Sequence, residues 1–388
     1  MKLGQAFDAR NNALNAWRLV LAVSVIMGHS FTLTGRPSPT GIVGHLLGAG
    51  GVDGFFAVSG FLITASWLRQ PHLREYLTAR ALRILPGYYV CLIVTAFIIA
   101  PIGVAIQGGA ALKLLFSPAP FQYVLMNIAV ATLKVDVGGT PTGIPYPGTW
   151  NSSLWTLMFE LACYFIVAGL GVAGFANRRW VSPAILAVAV LSAALLPPFS
   201  VHEPFTLQFA AASARFAIMF AAGALLYQWR DVIPARWWLV GVSVAVVLLG
   251  GTVLPDYRRL GGIPLAYAII VSGALIRNKR LRLRTDLSYG VYIYAFPTQQ
   301  LLVICGVGVL NPNVFSIVAT LCTLPLAALS WFVIEKPAMS LKRRLKKRWS
   351  GPAAGETDPR VAETDTERPA ATADATADRP APNGTGAT

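Results

Sequence analysis

Apolar residues in this chain run in long unbroken stretches. They neither alternate at a strand period nor confine themselves to one helical face. A bilayer core about 30 Å thick takes about 20 apolar residues per helix, and ten stretches approach that length. They run from Asn15 to Leu33, Leu46 to Leu68, Leu85 to Ile106, Ser153 to Phe175 and Trp180 to Pro198, then from Gln208 to Gln228, Trp237 to Leu254, Leu260 to Ile276, Leu287 to Leu310 and Val314 to Ile334. The pattern predicts an all-α integral membrane protein, a bundle of about ten transmembrane helices. The first stretch carries Arg18 and His29 and has no small-residue cleavage site, so it reads as a helix of the bundle rather than a leader peptide.

The connections between these stretches set an orientation. With a cytoplasmic N-terminus, the inward-facing segments collect 22 Lys and Arg and the outward-facing ones five, Arg36, Lys113, Lys134, Arg258 and Arg259. That asymmetry predicts a multi-pass protein of the plasma (inner) membrane with both termini cytoplasmic. Two segments stand apart. The outer connection from Gln107 to Ser152, rich in Gly and Pro, is too long for a plain connector and is expected to fold over the outer mouth of the bundle. Residues 350–388 hold almost no large apolar residue, which predicts a disordered cytoplasmic tail after a transmembrane domain spanning 1–349.

Composition narrows the function classes. Of 388 residues, 55% are hydrophobic and 13% charged, with mean hydropathy +0.58 and net charge +15. An ordinary soluble domain is about 25% charged, so the balance argues against a soluble enzyme and excludes a disordered chain. The bases cluster between apolar runs, which speaks for topology rather than a nucleic-acid partner. Cys91, Cys163, Cys305 and Cys322 are far apart in apolar runs, read as buried packing residues, and offer neither metal spacing nor a disulfide framework. No metal is expected.

Ionisable residues inside apolar runs are the candidates for chemistry. Arg18 and His29 are eleven residues apart, which puts them on one helical face roughly 16 Å apart along the axis. Neutral histidine is a competent general base near pH 7; the alternative is a snorkelling arginine beside a packed histidine. Asp53 lies in the glycine-rich run from Gly48 to Thr64 with no local basic partner. It could orient His29, or pair with an arginine such as Arg215. Arg80 and Arg83 share a face at the start of a helix that Pro86 is expected to interrupt, a spacing suited to phosphate as well as to topology. Glu160 falls about two turns from a surface marked by Trp150 and Trp155, and Tyr289, Tyr292, Gln299 and Gln300 form a polar stripe. Glu335 is expected to pair with the polybasic stretch that comes after it.

Taken in order, these blocks resemble the acyltransferase-3 family, integral membrane enzymes that move acyl groups onto cell-surface sugars and related acceptors. The resemblance rests on Arg18 and His29 as R-x10-H, the G-G-V-D-x-F-F block from Gly50 to Ile63, and R-x-x-R-I-x-P from Arg80 to Pro86. It continues through L-W-T-L-x-F-E from Leu154 to Glu160, S-Y-x-x-Y near Ser288, and I-E-K-P from Ile334 to Pro337. It implies a cytoplasmic acyl-CoA donor, commonly acetyl-CoA, no permanently bound cofactor, and a carbohydrate or glycolipid acceptor. Membrane lipids and polysaccharide-assembly proteins are the further partners it suggests. His29 and Asp53 would be catalytic. Arg18, Arg80, Arg83, Ser59, Trp155, Glu160, Tyr289 and Gln299 would bind substrate, and a covalent acyl-enzyme on Ser59 or His29 stays open. Two departures stand out: Phe296 precedes Pro297 where many relatives have histidine, and no esterase-like domain is expected after the tenth span. The alternative reading is a secondary transporter of a sugar-lipid or anion, with Asp53, Glu160 and Arg215 as a charge relay.

Overall fold

The structure, a computed structural model, describes residues 1–197, 205–283 and 285–349. Residues 1–343 form one compact, all-α unit. A long helix occupies each of the ten predicted stretches. They are named α1 (Leu14–Leu33), α2 (Gly41–Arg69), α3 (Leu73–Ile106), α4 (Thr156–Val172), α5 (Val181–Leu195), α6 (Phe205–Gln228), α7 (Trp237–Val253), α8 (Arg258–Leu275), α9 (Ser288–Ile304) and α10 (Pro312–Lys342). Six of them, α1 to α4, α6 and α10, are long and apolar enough to cross a membrane. α5 and α7 are shorter apolar helices. α9 is central: every residue from Ser288 to Gln300 is buried, polar side chains included.

Helix α3 begins at Leu73, a full twelve residues before the predicted apolar start, and runs without a break through Pro86. The expected interruption does not occur. A proline inside a membrane helix is tolerated where neighbours satisfy the backbone groups it frees. Beside it, the Tyr289 hydroxyl of α9 donates to the Ile84 carbonyl at 2.8 Å, which ties this turn of α3 to the central helix. Among the described residues, three long helices contain a π-helical turn, at Leu46–Gly50 in α2, Thr95–Ile99 in α3 and Trp331–Glu335 in α10. Such a turn rotates the register of the helix beyond it, and π-helical turns are frequent at functional sites.

The closest helix contact joins α2 to α6. A Cβ on Gly60 would stand 2.0 Å from the Phe220 carbonyl oxygen, and one on Gly223 would stand 1.9 Å from that of Ala57. Two glycines facing two backbones bring these helices together by dispersion and close approach, the usual means of association where no hydrophobic drive exists between apolar helices. At the opposite edge of the bundle, the 107–152 segment carries short helices Ala111–Leu115 and Ala119–Met126. It is pinned by Trp150, which is fully buried and donates to Thr140 Oγ1 at 2.9 Å. Gln300 of α9 donates to the carbonyls of Tyr146 and Thr149 at 2.8 and 2.7 Å, so this segment sits on the end of the central helix.

The N-terminus is fastened to the turn between α6 and α7, with Leu3 and Gly4 donating to Ile233 and Arg230, each at 2.8 Å. Cys91 is buried, but Cys305 and Cys322 are exposed rather than packed inside. The tail at 350–388 lies outside the described residues.

Candidate active site

Three helices that are distant in sequence meet at Asp286, just before α9. Its carboxylate takes ion pairs from Arg18 of α1 and Arg83 of α3, and accepts the Ser288 hydroxyl at 2.5 Å. Burial pushes this carboxyl up, yet the two guanidiniums and Ser288 hold it below the usual carboxylate range. Arg83 also reaches Glu335 at 3.5 Å and lies over the rings of Tyr289 and Trp331. Glu335, 1% exposed, accepts a further bond from Ser330 at 3.0 Å. Arg83 is thus a partner of Glu335 from a helix distant in sequence, while the polybasic side chains from 343 on lie outside the described residues. The chain from Trp331 to Glu335 is one of the π-helical turns, which faces this carboxylate toward α3.

Above this network lies a narrow cavity of about 40 Å³ between α1, α2, α4 and α9. Arg18, Ser59, Glu160, Tyr289 and Tyr292 line it together with Val52, Phe55, Phe56, Thr156 and Leu157. The first four of these are candidates from four separate sequence blocks, and the fold brings them together. Ser59 donates to Glu160 Oε1 at 3.0 Å, and Tyr164 donates to the same oxygen at 2.5 Å. Tyr292 and Thr156 share a hydrogen bond of 2.6 Å. Its lining combines a guanidinium, a carboxylate and hydroxyls with the rings of Phe55 and Phe56.

Arg80 stands nearby on α3. One Nη bonds Ser66 at 3.0 Å, its plane lies over Tyr76 and Tyr164, and its Nε is buried without a partner. Arg83, by contrast, is committed to two carboxylates, so the two arginines of the motif are not equivalent. Trp155 packs against Phe159 and Phe216.

His29 and Asp53 are not joined. Asp53, 0% exposed, accepts from Arg258 Nε at 2.7 Å, from Arg215 Nε at 3.2 Å and from the Tyr257 hydroxyl. All these partners come from α6 and the start of α8, and no ion pair links Asp53 to the imidazole. The expected orientation of His29 by Asp53 is thus replaced by the arginine pairing. The physical reason is charge: a carboxylate so enclosed takes cations as partners, and neutral imidazole compensates it poorly. His29 instead meets the edge of Phe296 at a ring separation of 5.1 Å, and its Nδ1 is buried with no hydrogen-bond partner. Gln299 stands next to it, donating to Ile26 O and Ser30 Oγ at 3.0 Å each, with Oε1 unpartnered. Neither His29 nor Gln299 lines the Arg18 cavity.

The residues that sequence reasoning missed are Asp286, Tyr164, Tyr257 and Arg258. Asp286 had a signal: it is the one acid in a strongly basic loop, two residues before a serine at a helix start, a common N-terminal arrangement.

One residue from each of six separated blocks, Arg18, Ser59, Arg83, Glu160, Tyr289 and Glu335, lies at the Asp286 network or its cavity, and the family model described as an acyltransferase domain matches residues 11–332. The chain belongs to the acyltransferase-3 family. Curated relatives agree along nearly their whole lengths. An O-acetyl transferase of Shigella phage Sf6 is 27% identical over 350 residues, which cover 84% of this chain and 96% of that protein. Nodulation protein 10 of Rhizobium leguminosarum bv. viciae is 28% identical over 367 residues, covering 87% and 96%. No solved structure matches the chain. The acyltransferase-3 assignment and the apolar helices make this a multi-pass membrane acyltransferase.

Proposed function

We propose that the chain moves an acyl group, acetyl in the first instance, from acyl-CoA to a hydroxyl of a cell-surface or lipid-linked sugar. The observation that carries this reading is the cavity in which Arg18, Ser59, Glu160 and Tyr289 meet beside Arg80. Its cations stand where the diphosphate end of CoA would stop. Arg80 has an unpartnered Nε for a phosphate oxygen, whereas Arg18 and Arg83 would share phosphate with Asp286. The donor would enter from the side of the chain termini, which we take as cytoplasmic from the distribution of bases.

His29 is the proposed general base. It removes the proton of the acceptor hydroxyl while that oxygen attacks the thioester carbonyl. The C–S bond then breaks, and the imidazolium returns the proton to the leaving CoA thiolate. Direct transfer of this kind needs no acyl-enzyme: the Ser59 hydroxyl is engaged by Glu160, and Asp53 is withdrawn into its own arginine pairs. The name of the phage relative supports acetyl as the group and oxygen as its destination. A transporter relay finds less support, because Glu160 is bonded to Ser59 and Tyr164 while Asp53 is bonded to Arg215, Arg258 and Tyr257. The partners of one carboxylate are distinct from those of the other.

Mass spectrometry of surface polysaccharide from a deletion strain tests the reading. Acyl ester should vanish from one sugar and return with the wild-type gene. An unchanged acylation pattern would refute it.

A further inference from the structure

A second polar cavity lies at the end of the bundle opposite the Asp286 network, and nothing in the proposed transfer uses it. Its volume is about 280 Å³, far larger than the cavity at Arg18. It opens where α5 and α7 stop short. With 15 and 17 residues these helices rise roughly 22 and 26 Å, less than the bilayer core of about 30 Å. Their ends therefore leave a recess beside the longer α2 and α6.

The recess is cationic. Arg215 of α6 and Arg258 and Arg259 at the start of α8 line it, with His45 at the other side. Arg258 and Arg215 are held from behind by Asp53, and Asp256 takes Arg258 Nη1 at 2.8 Å. Among the described residues three guanidiniums thus face two carboxylates, one positive charge in excess. Arg259 is the unsatisfied member. One Nη donates to the Ala193 carbonyl at 2.7 Å, while its buried Nε has no partner.

Other bases on this face point elsewhere. Arg36 is spent on the Val309 and Leu310 carbonyls, and Lys134 pairs with Asp136 at 3.0 Å. Orientation alone would place few bases here. Their convergence on one recess, with a charge in excess and a buried donor unused, calls for an anion.

We propose that this recess binds a phosphate or diphosphate group carried by the acceptor, the link between a sugar and its lipid carrier. Planar guanidiniums match phosphate oxygens two at a time. A lipid-linked acceptor would present its phosphate at the depth where α5 and α7 end. The identity of the carrier rests on the acyl-transfer reading; the anion site itself does not.

The test uses the full chain in phosphatidylcholine nanodiscs, titrated with inorganic diphosphate and followed by calorimetry. One saturable component should weaken about 10-fold or more in Arg259→Gln and persist in Arg80→Ala. That pattern separates it from a donor site at the other end of the bundle. Asp256→Asn should tighten the same component, an effect in the opposite direction that a folding defect would not produce. Binding that is unchanged in Arg259→Gln, or no tightening in Asp256→Asn, overturns the site. Adding phosphatidylglycerol to the nanodiscs distinguishes the sources. If it competes with diphosphate at this component, the group belongs to bulk lipid and the acceptor assignment fails; if it does not, the assignment is supported.

Discussion

Asp286 is buried among Arg18, Arg83 and Ser288, and it is the only carboxylate to touch both Arg18 and Arg83 among the described residues. Its replacement by Asn keeps the shape and removes the charge. Breaking a buried pair costs about 3–5 kcal/mol, because the partner is left without compensation. Asp286→Asn should therefore lower the thermal midpoint of the purified protein and shift KM for acyl-CoA more than kcat, while Asp286→Glu restores part of both. Equal KM values in Asn and wild type would reduce Asp286 to a structural tie. The pH dependence has a definite sign. The carboxyl is held below its ordinary value of about 3.9, so its contribution is complete above that pH and is lost as pH falls through the depressed folded value. The midpoint difference between wild type and Asp286→Asn should be constant from pH 7 to 5 and narrow only below about 4. At this scale the sequence displayed Arg18, Ser59, Glu160 and Tyr289 because chemistry inside an apolar run is conspicuous. Asp286 sits outside the runs, so a search for charges within helices passes over it. The partners of Asp53 were hidden for another reason: Arg258 and Tyr257 lie about 200 residues away and are joined to it only by the packing of α2 against α8.

Helices α2 and α6 meet through Gly60 and Gly223 with no room for a side chain on either. Leucine at position 60 would need the backbones to separate by well over an ångström, and overpacking typically costs about 1–3 kcal/mol. Gly60→Leu should lower the thermal midpoint in detergent and cut the yield of monodisperse protein. Leucine at Gly48, where a Cβ meets nothing within 4 Å, should leave both near wild type. Equal behaviour of the two variants would contradict the close α2–α6 contact. Helices were readable in every stretch, and six of them are long and apolar enough to cross a membrane. Element ends were not readable. The first turns of α3, with Arg74, Glu75 and Arg80, are too polar to count as a span, yet they continue the helix. Pro86 looked like a break, yet α3 continues through it, with the neighbouring Ile84 carbonyl tied to the Tyr289 hydroxyl of α9.

Across the molecule, polar machinery collects at two ends of one bundle. The Asp286 network and its cavity lie at one end, and the recess of Arg215, Arg258 and Arg259 lies at the other. His29 and Gln299 stand along the α1–α9 seam. That arrangement suits a reaction whose two substrates arrive from opposite sides, with the imidazole where their reacting atoms would meet. The base of the mechanism is then the part most open to direct test. Membranes carrying wild type or His29→Ala at equal levels would be given acetyl-CoA and the host's own lipid-linked polysaccharide fraction, and release of free CoA thiol would be followed. Loss of a general base should slow release about 10²–10⁴-fold, with little change in acetyl-CoA affinity. Release by His29→Ala at close to the wild-type rate would contradict the mechanism.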